Sequence, residues 1–326
     1  MNRVIEKEKG GSLLLQGIRL FLATDNETLC QLHTNMVYNV RNTFLGRRHM
    51  NETTLKNRLI ELKQAEFSFQ NINLIELTTY MLKHLGSLDS ELRDKLIYRT
   101  FCKMITNNYL SQSHLKQMLA AILDDKYLFK GIGLKEDDSV FTRSFSTLLI
   151  ALILDADNRK DFLSQDTVLL VKDCLLKYML MEQDLRGYVK DKGWAHSIAH
   201  GADALDELVK SHKLDQDAYK NILTIIINKV HVYEYVYHDD EDERLITPII
   251  AMLQRGLPEN DLIEYIEGIS NYLEQKNKEL AIENYWILYA NTKSFLRSLD
   301  FRMRKHLEFE MIKKSVEHTL DKISYF

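Results

Sequence analysis

The stretch from Leu163 to Leu180, LSQDTVLLVKDCLLKYML, decides the fold. It opens with a leucine, a small polar residue, any residue and a capping-type residue, and continues in apolar residues at three- and four-residue spacing. Ser, Asp or Asn at such an opening accepts hydrogen bonds from the unpaired N–H groups of a first helical turn, and a preceding leucine staples back onto that turn. The pattern recurs at Leu110-Ser-Gln-Ser113, Leu214-Asp-Gln-Asp217 and Leu257-Pro-Glu-Asn260, and Pro258 fits because the first helical N–H has no partner anyway. Similar runs follow each opening: LKQMLAAIL at 115, YKNILTIIINKV at 219 and LIEYIEGISNYL at 262. Between them lie further apolar-periodic segments, FTRSFSTLLIALIL at 141, GWAHSIAHGADALDELV at 193 and RLITPIIAMLQ at 244. Two helices per unit, with successive leucines 53, 51 and 43 residues apart, predict an all-α, HEAT- or armadillo-like superhelix of helical pairs. The competing expectation is a helical domain without true repeats.

Composition agrees with helix. A chain of 326 residues would ordinarily carry about 16 prolines, whereas this one has two, with only 12 glycines. That excludes linker-rich and low-complexity chains and disfavours a turn-dense β-sandwich. A net charge of -4 argues against a nucleic-acid partner. Cys30, Cys102 and Cys174 are scattered and odd in number, which fits core residues in a reducing cytoplasm. No unbroken apolar stretch reaches the ~18 residues of a membrane span, and Leu13 to Ala23 reads as a short amphipathic helix with no cleavage site after it. No membrane association is therefore expected. The domain reading is an N-terminal helical extension over 1–49, then a helical-repeat domain over 50–326. A fresh helix start stands at Met50-Asn-Glu-Thr-Thr54, and capping helices begin near 279. Lysine and arginine outnumber acids between 293 and 314, as on the solvated outer face of a cap.

Equivalent connections of a two-helix repeat lie along one rim. Here the connections that precede the segments at 141, 193 and 244 collect acid, arginine and histidine. The groove candidates are Asp138, Arg143, Asp184, Arg186, Trp194, Glu241, Asp242 and Arg244. If the helix begins at Gly193, then His196, His200, Asp203 and Glu207 fall within about 60° of arc on the side away from the apolar residues. Histidines one turn apart with a carboxylate are a metal-ligand pattern, so His196, His200 and Asp203 are candidate ligands of a divalent metal, and the cluster of His238, Glu241 and Asp242 from the neighbouring unit could complete the set. Glu241 or Glu207 would be the base of a hydrolase or oxygenase built on them. A groove for a protein or a small anion, and a plain solvated or hydrogen-bonded helix face, are the other readings of the same residues. Trp194 is expected in the core, and Arg143 and Arg186 serve equally as bidentate partners of the acidic connections. Nucleotide-loop, nucleophile-elbow, H-E-x-x-H and EF-hand templates are absent.

DSVFTRSFSTLLIALIL (138–154), EQDLRGYVKDKGWAHSIAHGADAL (182–205), EDERLITPII (241–250) and LGSLDSELRDKLIY (85–98) resemble segments of a bacterial family labelled domain of unknown function 2785. The resemblance covers roughly residues 50 to 275. It implies a helical, HEAT-like protein with no established activity. It also implies characteristic positions at Asp138, Arg143, Asp184, Arg186, Gly187, Trp194, His196, His200, Asp203, Glu241, Asp242 and Arg244.

Overall fold

The computed structural model describes residues 50–324. The expectations for residues 1–49, including the helix over Leu13 to Ala23 and the state of Cys30, lie outside the described residues. The described residues are all-α apart from one small hairpin.

Each repeated opening starts a helix. These helices are α4 (Gln112–Ile122), α6 (Gln165–Met181), α8 (Asp217–Val230) and α10 (Glu259–Glu279). The serine directly after the leucine is the cap in the first two: Ser111 Oγ accepts from the His114 amide and Ser164 Oγ from the Thr167 amide. At the third and fourth openings Gln216 and Pro258 precede the helix with no side-chain cap bond. The leucine is the constant feature. Leu110, Leu163, Leu214 and Leu257 are all buried, and each contributes about 1.5–3 kcal/mol of transfer free energy relative to exposure. Ser164→Ala will cost about 1 kcal/mol, read as a lower urea midpoint with an unchanged slope.

Before the first opening come α1 (Glu52–Gln64), capped by Asn51, α2 (Leu74–Lys83), capped by Asn73, and α3. The first half of α3, Glu91–Tyr98, is π-helical and its second, Arg99–Thr106, α-helical. The intervening helices are α5 (Ser139–Lys160), α7 (Ser197–Val209), α9 (Glu241–Gln254) and α11 (Ile282–Met303). A 3-10 turn, Leu307–Phe309, leads into the last helix, α12 (Glu310–Ile323).

Helices α3, α5, α7, α9 and α11 pack each on the next. On their flank α4 packs on α5, α6 on α7, α8 on α9 and α10 on α11, while α12 closes over α10 and α11. Helix α5 has neighbours on several sides, so its apolar residues run all round it and Val140, Phe141, Leu149, Ile150, Ile153 and Leu154 are fully buried. Its length and composition also suit a membrane span, which a search for unbroken apolar runs misses; 83% of its most apolar window is buried within the fold. Cys174 is buried and Cys102 half-buried, both as free thiols.

Between α6 and α7 the chain forms a hairpin of β1 (Tyr188–Val189) and β2 (Gly193–Trp194), with Tyr188 opposite Trp194. Helix α7 therefore begins at Ser197, four residues later than the spacing of GWAHSIAH predicts. Positive φ at Asp191, Gly193 and His196 turns the chain there, and Gly193 at φ +79° has no room for a side chain, since a Cβ would stand 2.7 Å from Ser90 Cβ.

Candidate functional site

Three connections meet at one face: 123–138 into α5, 182–196 into α7 and 231–240 into α9. Their polar side chains lace them together. Glu182, at the end of α6, takes Arg143 Nε at 2.7 Å and Nη2 at 2.8 Å, with both side chains fully buried. Arg143 Nη1 donates to the Lys130 and Gly131 carbonyls and to Ser139 Oγ, so one guanidinium ties the first connection to the second. From α8 the buried Lys229 ammonium donates to the Glu182 carbonyl at 2.9 Å. Burial pulls the Lys229 pKa down to about 8 against the field of Glu182.

The same pattern continues outward. Arg186 pairs bidentately with Asp184 at 2.8 and 2.6 Å and reaches the Asp137 carbonyl. Lys192 binds both oxygens of Asp138, Arg244 both oxygens of Asp203, and Lys135 pairs with Glu234 across 99 residues. Asp242 accepts from Ser294 and Ser298 on α11. Each arginine named from the sequence is thus neutralised by a carboxylate of the chain, the geometry of a latch. Within 293–314 Arg304 pairs with Asp300, and Arg302 of the same segment pairs with Glu243 on α9.

The hairpin carries the exposed part of the face. Tyr188 and Trp194 are both exposed and meet edge to face at 5.0 Å, and Trp194 stacks on the His196 ring at 4.4 Å. The expectation of a core tryptophan is therefore overturned: as a β2 residue opposite Tyr188, Trp194 projects from the hairpin instead of from a helix. The Tyr188 amide donates to Asp239 Oδ2, and His196 Nε2 bonds the Asp239 carbonyl at 2.8 Å. Gly187 is needed where the second and third connections touch, because a Cβ there would lie 2.7 Å from Asp239 Cβ and Cγ.

The proposed ligand stripe does not form. His196 precedes α7 at φ +49°, outside the helix. His200 faces inward: its Nδ1 lies 2.7 Å from Ser144 Oγ, whose hydroxyl donates to the Ala195 carbonyl, and Phe145 packs edge-on against the ring. Burial, with smaller repulsion from His196 and Arg244, pulls the His200 pKa far below the usual histidine range. Asp203 is held by Arg244. Of the three, among the described residues, only His196 belongs to a cluster of donor groups, with Asp239 and Glu241: one ligand atom from each of His196, Asp239 and Glu241 lies within 4.8 Å of the others. Glu241 is buried at the start of α9; one oxygen accepts from the Asp239 amide, and burial pushes its pKa up.

Sequence reasoning missed Asp239, Arg93, Lys229 and Ser144. Arg93 is fully buried on α3, where it bonds the Ser87 and Lys192 carbonyls, pairs with Asp94 and lies over the Phe141 ring at 4.3 Å. An arginine between Leu92 and Leu96 on an apolar-periodic helix was the available signal. Asp239 sits in a charged run that reads as a solvated loop.

Fold and face together define an all-α protein in which consecutive helix-to-helix connections are latched into one polar, aromatic-bearing surface. The chain belongs to the family described as Protein of unknown function (DUF2785), which matches residues 128–301 and so takes in the second and third connections and the first from residue 128 on, but not α1 to α4. No curated protein and no solved structure matches the chain.

Proposed function

We propose that the chain is a cytoplasmic, HEAT-like helical-repeat module that binds a protein partner on the face formed by the three connections. One observation carries this reading. Five large apolar side chains, Leu134, Tyr188, Trp194, Tyr233 and Val236, are exposed on these connections, while the charged residues beside them are spent on latching the backbone. Exposed aromatics on a preorganised surface are the composition of a protein contact, since they add contact area with little ordering cost. The stacking of helical pairs in two rows supports the repeat reading, as do the hydrogen bonds that join three successive connections to one another. Internal pairing of Arg143, Arg186 and Arg244 leaves a small anion with less to bind than a protein segment.

Site-specific photo-crosslinking in the source cell tests the proposal. A benzoylphenylalanine at Tyr188 is expected to give a discrete protein adduct that Trp194→Ala and Tyr233→Ala reduce at least tenfold. The same probe at Lys278, exposed on α10, is expected to give none. Adducts of equal yield at both positions, or none at Tyr188, would contradict it.

A further inference from the structure

We propose that His196, Asp239 and Glu241 bind a divalent first-row transition ion, Zn2+ being the best match, which joins the start of α7 to the start of α9. The site goes beyond the partner surface and does not rest on it.

Two independent observations lead here. The first is the donor set: an imidazole and two carboxylates from connections 43 or more residues apart in sequence come together with their ligand atoms within 4.8 Å. The second is Glu241 Oε1. The Glu241 side chain is only 1% exposed, and among the described residues Oε1 has no hydrogen-bond partner; it faces His196 Nε2 across 3.8 Å. A buried carboxylate oxygen without a donor is costly, and such groups ordinarily have a partner. Two ligands of a tetrahedral Zn2+, at about 2.0–2.1 Å each, lie about 3.4 Å apart. Oε1 and Nε2 are thus within about 0.4 Å of that spacing, and the other donor pairs, within 4.8 Å, must draw in to it by side-chain rotation.

The surroundings hold these ligands as a second shell does. The Tyr188 amide fixes Asp239 Oδ2, and the Asp239 amide fixes Glu241 Oε2, which leaves Oε1 for the ion. The Trp194 ring stacked on His196 sets the imidazole plane. Coordination through Nε2 exchanges the bond to the Asp239 carbonyl for a bond to the metal, with the ring proton on Nδ1. That carbonyl oxygen, 2.8 Å from Nε2, stays close enough to serve as a further donor. One imidazole and two carboxylates favour Zn2+ and its neighbours over Mg2+ or Ca2+, which take oxygen alone, and over Cu(I), which takes sulfur.

Co2+ is the probe for the test, because it takes the same ligands and quenches nearby indole fluorescence. The chain has two tryptophans, so a Trp286→Phe background leaves Trp194 as the reporter. Full-length protein is expected to bind one Co2+ with quenching of Trp194, to release it to Zn2+ and to keep it against excess Mg2+. Glu241→Gln keeps the shape and one acceptor. His196→Asn keeps a residue tolerant of positive φ. Each is expected to weaken binding at least tenfold while the metal-free melting temperature changes little. If a variant proves unstable, Asp239→Asn gives the same readout. Binding without quenching, binding unaffected by these variants, or binding lost only on replacing the exposed His212 beside Asp161 would overturn the site.

Discussion

Arg143→Ala will cost the fold about 3–5 kcal/mol, the range for breaking a buried ion pair from one side. It strands the Glu182 carboxylate in the interior and removes the donor to the Lys130 and Gly131 carbonyls. Burial works against the charged guanidinium, but the hydrogen bonds and field of Glu182 more than offset it and hold the arginine protonated. Replacing both partners with apolar residues, Arg143→Met with Glu182→Leu, should cost less than either single change, because no unpaired charge stays behind. Urea titration of the four proteins reads the coupling. A single Arg143→Ala variant within 1 kcal/mol of the parent would mean that the latch holds nothing. Such a result would restore the arginine as a free ligand group.

Acid will destabilise the protein well above the carboxylate range. The His231 ring stacks on Tyr272 at 4.3 Å and bonds the Tyr265 hydroxyl at 3.0 Å. Burial, with a smaller push from Lys276, pulls its pKa from 6.5 to about 3. A histidine depressed in the folded state contributes stability that is whole above its unfolded pKa and is lost as pH falls toward the folded value. The unfolded chain binds the extra proton between about pH 6.5 and 3, so stability declines by up to about 1.4 kcal/mol per pH unit there. Between pH 7 and pH 4.5 His231 alone accounts for on the order of 2–3 kcal/mol. His114 and His200, lowered in the same direction by burial, steepen the fall. Asp94, Asp203 and Glu241, raised chiefly by burial, act in the opposite sense, so the useful quantity is a difference. His231→Phe should flatten the pH dependence of the urea midpoint in this window, and identical slopes in the two proteins would contradict the assignment.

What the sequence made legible was periodicity, and what it concealed was contact. The buried leucines of the four openings announce α4, α6, α8 and α10 because the signals of a helix start lie within a few residues of it: a leucine that buries at all four, and a capping serine at the first two. The hairpin at 188–194 stayed hidden because GWAHSIAHGAD keeps helical spacing while positive φ at three positions breaks it; spacing cannot register a turn that an aspartate and a histidine adopt beside a single glycine. The outward stripe failed for a related reason. His200 looked solvated because it lies opposite the apolar side of α7, yet α5 covers that side with Ser144, and a polar interior pair has no local signature. The polar residues of the connections could be named individually, but Asp239, which touches both the hairpin and His196, was lost among four acidic neighbours. Arg93 is the same case on α3.

The latching of the three connections into one face is tested most directly by zero-length carbodiimide coupling followed by peptide mass spectrometry. Lys135 should couple to Glu234 and Lys192 to Asp138, the partners each meets in the structure, giving isopeptide links across about 100 and about 50 residues. Coupling of these lysines only to carboxylates of their own connections, such as Glu136 or Asp191, would show that the three connections do not meet.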